Sequence, residues 1–110
     1  MNDKPIDELV AEKVMGWIKP PETSILKAMW VETPIGAVHP QLPKFSTNIE
    51  DAWLVVEKLG YDVKVTKNSV LTPKYQAHVF VPGDVKMVFA ETAPMAICTA
   101  ALKAVGEEWQ

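Results

Sequence analysis

The sequence contains no arginine; all eleven of its basic residues are lysine, and the formal net charge is -3. Proteins that grip duplex nucleic acid carry a basic excess and use the guanidinium fork for paired contacts to phosphate or guanine, so nucleic acid is not an expected partner. There is one cysteine, Cys98, which excludes an internal disulfide and favours a reducing compartment or indifference to redox state. Apolar runs such as residues 53–56 are far short of the ~20 residues that a membrane span requires. The first residues, Met-Asn-Asp-Lys-Pro-Ile-Asp-Glu, are acidic where a signal peptide starts basic and apolar, so the chain is expected to stay where it is made, with no membrane contact. Gly16, Gly36, Gly60, Gly83 and Gly106 stand too far apart for a dinucleotide fingerprint or a P-loop. No His-Glu-x-x-His or Gly-x-Ser-x-Gly occurs, and His39 and His78 have no partner at ligand spacing. No catalytic residue, no metal and no cofactor is therefore expected, and the chain does not read as an enzyme.

What is present describes one folded domain over residues 1–110. At 48% apolar and 23% charged, a chain of this length buries roughly two thirds of its unfolded surface without staples. A first amphipathic helix is predicted over residues 5–17, from Leu9, Val10, Val14 and Trp17, with Asp3 as N-cap and Gly16 and Pro20-Pro21 marking its end. A Pro-rich insert at about 18–46 holds five of the nine prolines. Within it, residues 25–32 and 37–39 flank Thr33-Pro34-Ile35-Gly36 and read as a small β-hairpin or an ordered loop.

Thr47-Asn48-Ile49-Glu50 has the form of a capping box ahead of a second helix whose apolar stripe is Ile49, Ala52, Trp53, Val56 and Leu59, closed by Gly60 as a left-handed cap. Three strands follow, at residues 61–66, 75–81 and 85–90, the last two joined by a tight turn at Pro82-Gly83. A third helix starts with Thr92 as N-cap and Pro94 in its first turn and runs over residues 95–105 to Gly106. It is apolar nearly all round, so it asks for cover on two sides, by the sheet and by either the first helix or another subunit. The predicted fold is α+β, an αβα sandwich in the order α-(β-hairpin)-α-β-β-β-α, with three helices and a small, mainly antiparallel sheet of three to five strands. The surplus apolar surface of the last helix predicts a homo-oligomer.

Three segments carry a resemblance: Leu9-Val-Ala-Glu-Lys-Val-Met-Gly-Trp17; Phe45-Ser-Thr-Asn-Ile-Glu-Asp-Ala-Trp53 with Val55-Val-Glu-Lys-Leu59; and residues 92–106, Thr-Ala-Pro-Met-Ala-Ile-Cys-Thr-Ala-Ala-Leu-Lys-Ala-Val-Gly. In this order they resemble the phage ABA sandwich domain family of small bacteriophage and prophage proteins. The resemblance implies an αβα sandwich of viral origin working in the bacterial host cytoplasm, and it brings no catalytic residues with it. The Pro-rich stretch between Ile18 and Lys44 departs from the family pattern, so a specialised function is expected there.

The residues offering chemistry are few. Lys44, Phe45, Ser46 and Thr47 bring a cation, an aromatic ring and hydroxyls to the start of the second helix, where free amides and the helix dipole favour an anion. Trp30, in the Pro-rich segment, and Trp109, in the tail, are the tryptophans free to stack on a flat ligand, whereas Trp53 and Trp17 read as core. Cys98 shares an apolar stripe with Met95, Leu102 and Val105 and reads as a small buried hydrophobe. The expected site is Trp30, Lys44, Phe45, Ser46 and Thr47, with a small anionic, nucleotide-like host molecule as ligand: an oligomeric, non-enzymatic phage accessory protein that sequesters a defence signal. The alternative is a phage protein that binds and inhibits a host protein through the Pro-rich hairpin. A double-stranded-RNA-binding-like module has the same α-β-β-β-α order, but it needs basic residues where this chain has Glu91-Thr92-Ala93-Pro94, and it fails on charge.

Overall fold

A computed structural model describes residues 5–19, 29–32, 35–70 and 72–107. Their elements, in chain order, are α1 (Ile6–Lys13), β1 (Trp30–Glu32), β2 (Ala37–His39), α2 (Ile49–Lys58), β3 (Asp62–Lys67), β4 (Tyr75–Val81), β5 (Asp84–Ala90) and α3 (Ala93–Ala104). This is the expected order, built as a two-stranded and a three-stranded antiparallel sheet with three helices. The anticipated cap Asp3, Pro20-Pro21, residues 25–28, Thr33-Pro34 and Trp109 lie outside the described residues.

The last helix organises the domain. The Thr92 hydroxyl accepts from Met95 N at 3.4 Å, and proline occupies the first turn. At the other end Gly106 takes φ +86°, and Glu107 N donates to Leu102 O (2.8 Å) while Gly106 N donates to Lys103 O (3.1 Å). This pair of bonds closes a helix around a left-handed residue, a conformation that glycine adopts without steric cost. Between these ends α3 is buried on two sides. Ala96 and Ala100 meet Ala77 and Val79 of β4. Ile97, Cys98, Ala101 and Leu102 pack with Leu9, Val10 and Ala11 of α1 and with Ala52 and Val55 of α2. Small side chains on the sheet side let helix and strand approach closely, and larger ones fill the space between the helices. The sheet, α1 and α2 thus cover α3 within one chain, so the surplus apolar surface expected on this helix is absent and gives no reason for self-association.

The three-stranded sheet is a meander with β4 in the middle. Val63 and Val65 of β3 lie opposite Val79 and Ala77, and Val88 of β5 lies opposite Ala77. The period of two then assigns Val63, Val65, Ala77, Val79 and Val88 to the α3 face. The turn joining β4 and β5 is the one read from Pro82-Gly83, with Gly83 at φ +75°.

Four local expectations are corrected. First, α1 stops at Lys13 and has Pro5, with no side-chain cap, at its start. Trp17 lies beyond the helix yet is buried, its N–H donating to Ala11 O at 2.9 Å as the chain folds back. Second, the cap of α2 is Asn48, whose side-chain oxygen accepts from Asp51 N at 3.1 Å. The capping pattern is real but sits one residue later than Thr47, because Asn48 N closes a turn onto Lys44 O at 2.9 Å and places Thr47 outside the helix.

Third, α2 is rotated relative to the expected stripe: Ala52 and Val55 are fully buried, while Trp53 is 49% and Ile49 42% exposed. The slot against α3 admits alanine and valine and leaves the indole outside. Fourth, Gly60 is not left-handed; the helix ends at Leu59, which leaves in extended backbone at φ -65° and ψ 137°.

Candidate functional site

The segment entering α2 is a compact turn in which buried and exposed residues divide the work. Phe45 is 0% exposed and meets the Trp17 ring edge-on, centroids 5.9 Å apart. Ser46 is buried, and its N–H donates to the Asp7 carboxylate of α1 at 2.9 Å. These two residues anchor the turn to the core. Lys44 and Thr47, on either side of them, are exposed, and Thr47 N donates to Lys44 O at 3.2 Å. Lys44 N donates to the Asp51 carboxylate at 2.9 Å, which stiffens the turn and also places one acidic group beside it. Of the anticipated site residues, then, Lys44 and Thr47 present a cation and a hydroxyl to solvent, and Phe45 and Ser46 hold them in place.

Trp30 is not the free indole that its Pro-rich surroundings suggested. It opens β1, is 5% exposed and belongs to the main core cluster. The Lys19 ammonium lies 5.9 Å from its ring centroid and 3.8 Å from the Glu8 carboxylate. The hairpin is tied down because Val31 exchanges hydrogen bonds of 2.8 and 2.9 Å with Ile18, and because Trp30 pairs across the hairpin with His39. The His39 ring in turn stacks on Trp17 at 4.4 Å, and its Nε2 lies 2.8 Å from Glu32 Oε1. Loop composition alone does not reveal this cluster, though two tryptophans and a histidine flanking a short hairpin are the signal for it. For Phe45 the usable signal is Leu42, an apolar partner three residues earlier that packs against the same core.

Cys98 is fully buried between α3 and its neighbours, and burial, aided by the charge of Asp7, pushes its thiol far above the usual range. Burial of this kind keeps a thiol protonated, as in a cysteine that serves packing. Among the described residues no three His, Cys, Asp or Glu side chains are grouped to hold a metal, and no helix is long and apolar enough to cross a membrane.

A second surface escaped the sequence reading. The face of the three-stranded sheet turned away from α3 carries Phe80, Val85, Met87 and Phe89, each 40–50% exposed. The signal lies in β5, which is apolar at both parities, with Val85, Met87 and Phe89 on one side and Val88 and Ala90 on the other. A strand of this kind asks for cover on both faces. His78 sits among these residues with its ring against Phe80, centroids 6.1 Å apart, and its Nδ1 is buried without a hydrogen-bond partner among the described residues.

Comparison with known proteins agrees with this architecture. A phage protein from Bacillus cereus ATCC 14579, solved by crystallography at 2.0 Å, is 49% identical, with a TM-score of 0.80 over 100% of this chain and 95% of that one. No curated protein matches. The Phage ABA sandwich domain pattern matches residues 8–102, from the first turns of α1 almost to the end of α3. The chain belongs to the phage ABA sandwich domain family.

Proposed function

We propose that this phage protein is an accessory factor that acts by binding and performs no catalysis: it self-associates in the host cytoplasm and sequesters a small anionic, nucleotide-like molecule of host defence. The observation that carries the reading is the turn at residues 44–48. Its buried members, Phe45 and Ser46, fix the backbone, and its exposed members, Lys44 and Thr47, offer an ammonium and a hydroxyl next to the start of α2. A helix start adds partial positive charge from its first amides, so phosphate or carboxylate is the matching ligand chemistry. Burial of Trp30 removes stacking on that ring from the picture. Recognition therefore rests on charge and hydrogen bonds. The experiment is calorimetric titration of the chain with a panel of linear and cyclic nucleotides. Saturable binding that weakens on Lys44→Ala supports the reading, and no binding across the panel contradicts it.

A second reading is favoured by the hairpin, where Ile35 is 70% and Val38 43% exposed. Two apolar side chains displayed beside a structured hairpin suit capture of a host protein. Recovery of a stoichiometric host protein by the wild-type chain, lost on Ile35→Asp, distinguishes this reading from the capture of a small molecule.

A further inference from the structure

We infer that the uncovered face of the three-stranded sheet is the surface on which two copies of this chain pair. The inference rests on the self-association proposed above and names the surface that carries it. Register places the residues of this face in three rows across the strands: Asp62, Phe80 and Val85; Lys64, His78 and Met87; Thr66, Gln76 and Phe89. The β4–β5 half is apolar and 40–50% exposed at Phe80, Val85, Met87 and Phe89. The β3 margin carries one acid and one base, Asp62 and Lys64, both exposed and neither in an ion pair among the described residues.

The occupant follows from size and charge. Strands of six and seven residues give a face of about 20 by 14 Å. Pairing two such faces covers roughly 560 Å² in all, the weak end of the range of protein contacts, so the dimer is expected to be weak and concentration-dependent. An isologous contact requires that where one residue meets a second, the second meets the first. A two-fold axis between the first two rows does this: Asp62 of each copy meets Lys64 of the other, Val85 meets Met87, and Phe80 meets His78. Phe89 then reaches the Pro82-Gly83 turn of the second copy. The apolar β4–β5 halves then pack on each other along one side of the contact, and the reciprocal Asp62–Lys64 pairs line the β3 side. An opposite-charge pair spaced two residues apart on a single strand satisfies such a symmetry twice.

The test is sedimentation of the full chain from about 1 to about 100 µM, a range suited to an interface of this size. The wild type is expected to pass from monomer to dimer, and Met87→Lys is expected to remain monomeric with an unchanged far-ultraviolet circular dichroism spectrum. Asp62→Lys should raise the dissociation constant roughly tenfold by setting like charges face to face, and the exchange Asp62→Lys with Lys64→Asp should restore it. A wild type that stays monomeric throughout overturns self-association altogether. A wild-type dimer that neither Met87→Lys nor Asp62→Lys disturbs overturns this face and leaves self-association standing. Failure of the charge exchange to restore pairing overturns the proposed two-fold arrangement.

Discussion

The imidazole of His39 lies flat on the indole of Trp17, ring centroids 4.4 Å apart and planes 3° from parallel. This contact joins the segment leaving α1 to the second strand of the hairpin. Phe45, edge-on to the same indole at 5.9 Å, adds the turn before α2. Trp17 is thus the shared floor of the hairpin and of the candidate binding turn, and its loss is expected to damage both. Trp17→Ala should cost about 3 to 5 kcal/mol in chemical denaturation. His39→Ala should cost only about 0.5 to 1.5 kcal/mol, the worth of a ring pair. Equal losses would mean that the stack is not anchored through the indole.

The start of α2 separates capping from ligand binding. Asn48→Ala removes the side chain that accepts from Asp51 N and should cost about 0.5 to 2 kcal/mol. Thr47→Ala removes an exposed hydroxyl outside the helix and should stay within about 0.5 kcal/mol. Thermal unfolding of the two variants side by side checks the assignment; a larger loss for Thr47→Ala would return the cap to that residue.

The rotation of α2 makes a similar contrast. Trp53, 49% exposed, should tolerate replacement by alanine at about 1 kcal/mol or less. Phe45, fully buried, should cost about 3 to 5 kcal/mol on the same replacement. Denaturant midpoints at constant slope give both numbers, and the reverse order would mean that the indole faces the core.

These residues also show what was legible in the sequence and what was not. The third helix was read in detail from Thr92, Pro94 and Gly106, because caps and stops act through local backbone chemistry. The Pro82-Gly83 turn was read for the same reason. The face of α2 was not, since Ile49-Trp53-Val56 and Ala52-Val55-Leu59 both recur at helical spacing. Only the width of the slot against α3 chooses between them, and that width is a tertiary fact. The candidate site was half legible: a cation and a hydroxyl before a helix could be seen, whereas the setting of Ser46, Phe45 and Trp30 depends on Asp7, Trp17 and Lys19, which lie far away along the chain.

Burial of Cys98 carries a pH signature. Its thiol is held protonated in the folded state by burial and by the charge of Asp7, while in the unfolded chain it ionises near its ordinary value of about 8.5. The folded state then binds more protons than the unfolded one at alkaline pH, so the thiol's contribution is complete below about pH 8 and declines as pH rises above it. Stability measured from about pH 7 to about pH 10 should fall more steeply for the wild type than for Cys98→Ala. Parallel profiles would contradict the burial of the thiol.

Asp84 acts at the other end of the scale. A hydrogen bond from Lys86, joined by the Val85 amide at 2.8 Å, holds its carboxyl below the usual range. A carboxyl lowered in this way favours the folded state above its unfolded value, and the benefit is lost as pH falls through the folded one. Asp84→Asn should therefore flatten the acid limb of the stability profile slightly, the group being fully exposed. An acid limb unchanged by the substitution would show that the turn bond is not maintained in solution.

Whether this phage protein holds a small anionic molecule of its host is decided by native mass spectrometry of the protein purified from infected cells. A dimeric mass is expected, carrying a bound species of low mass that is anionic, is released on denaturation and is reduced in occupancy by Lys44→Ala. Protein of unladen mass, recovered intact from cells undergoing infection, would contradict it.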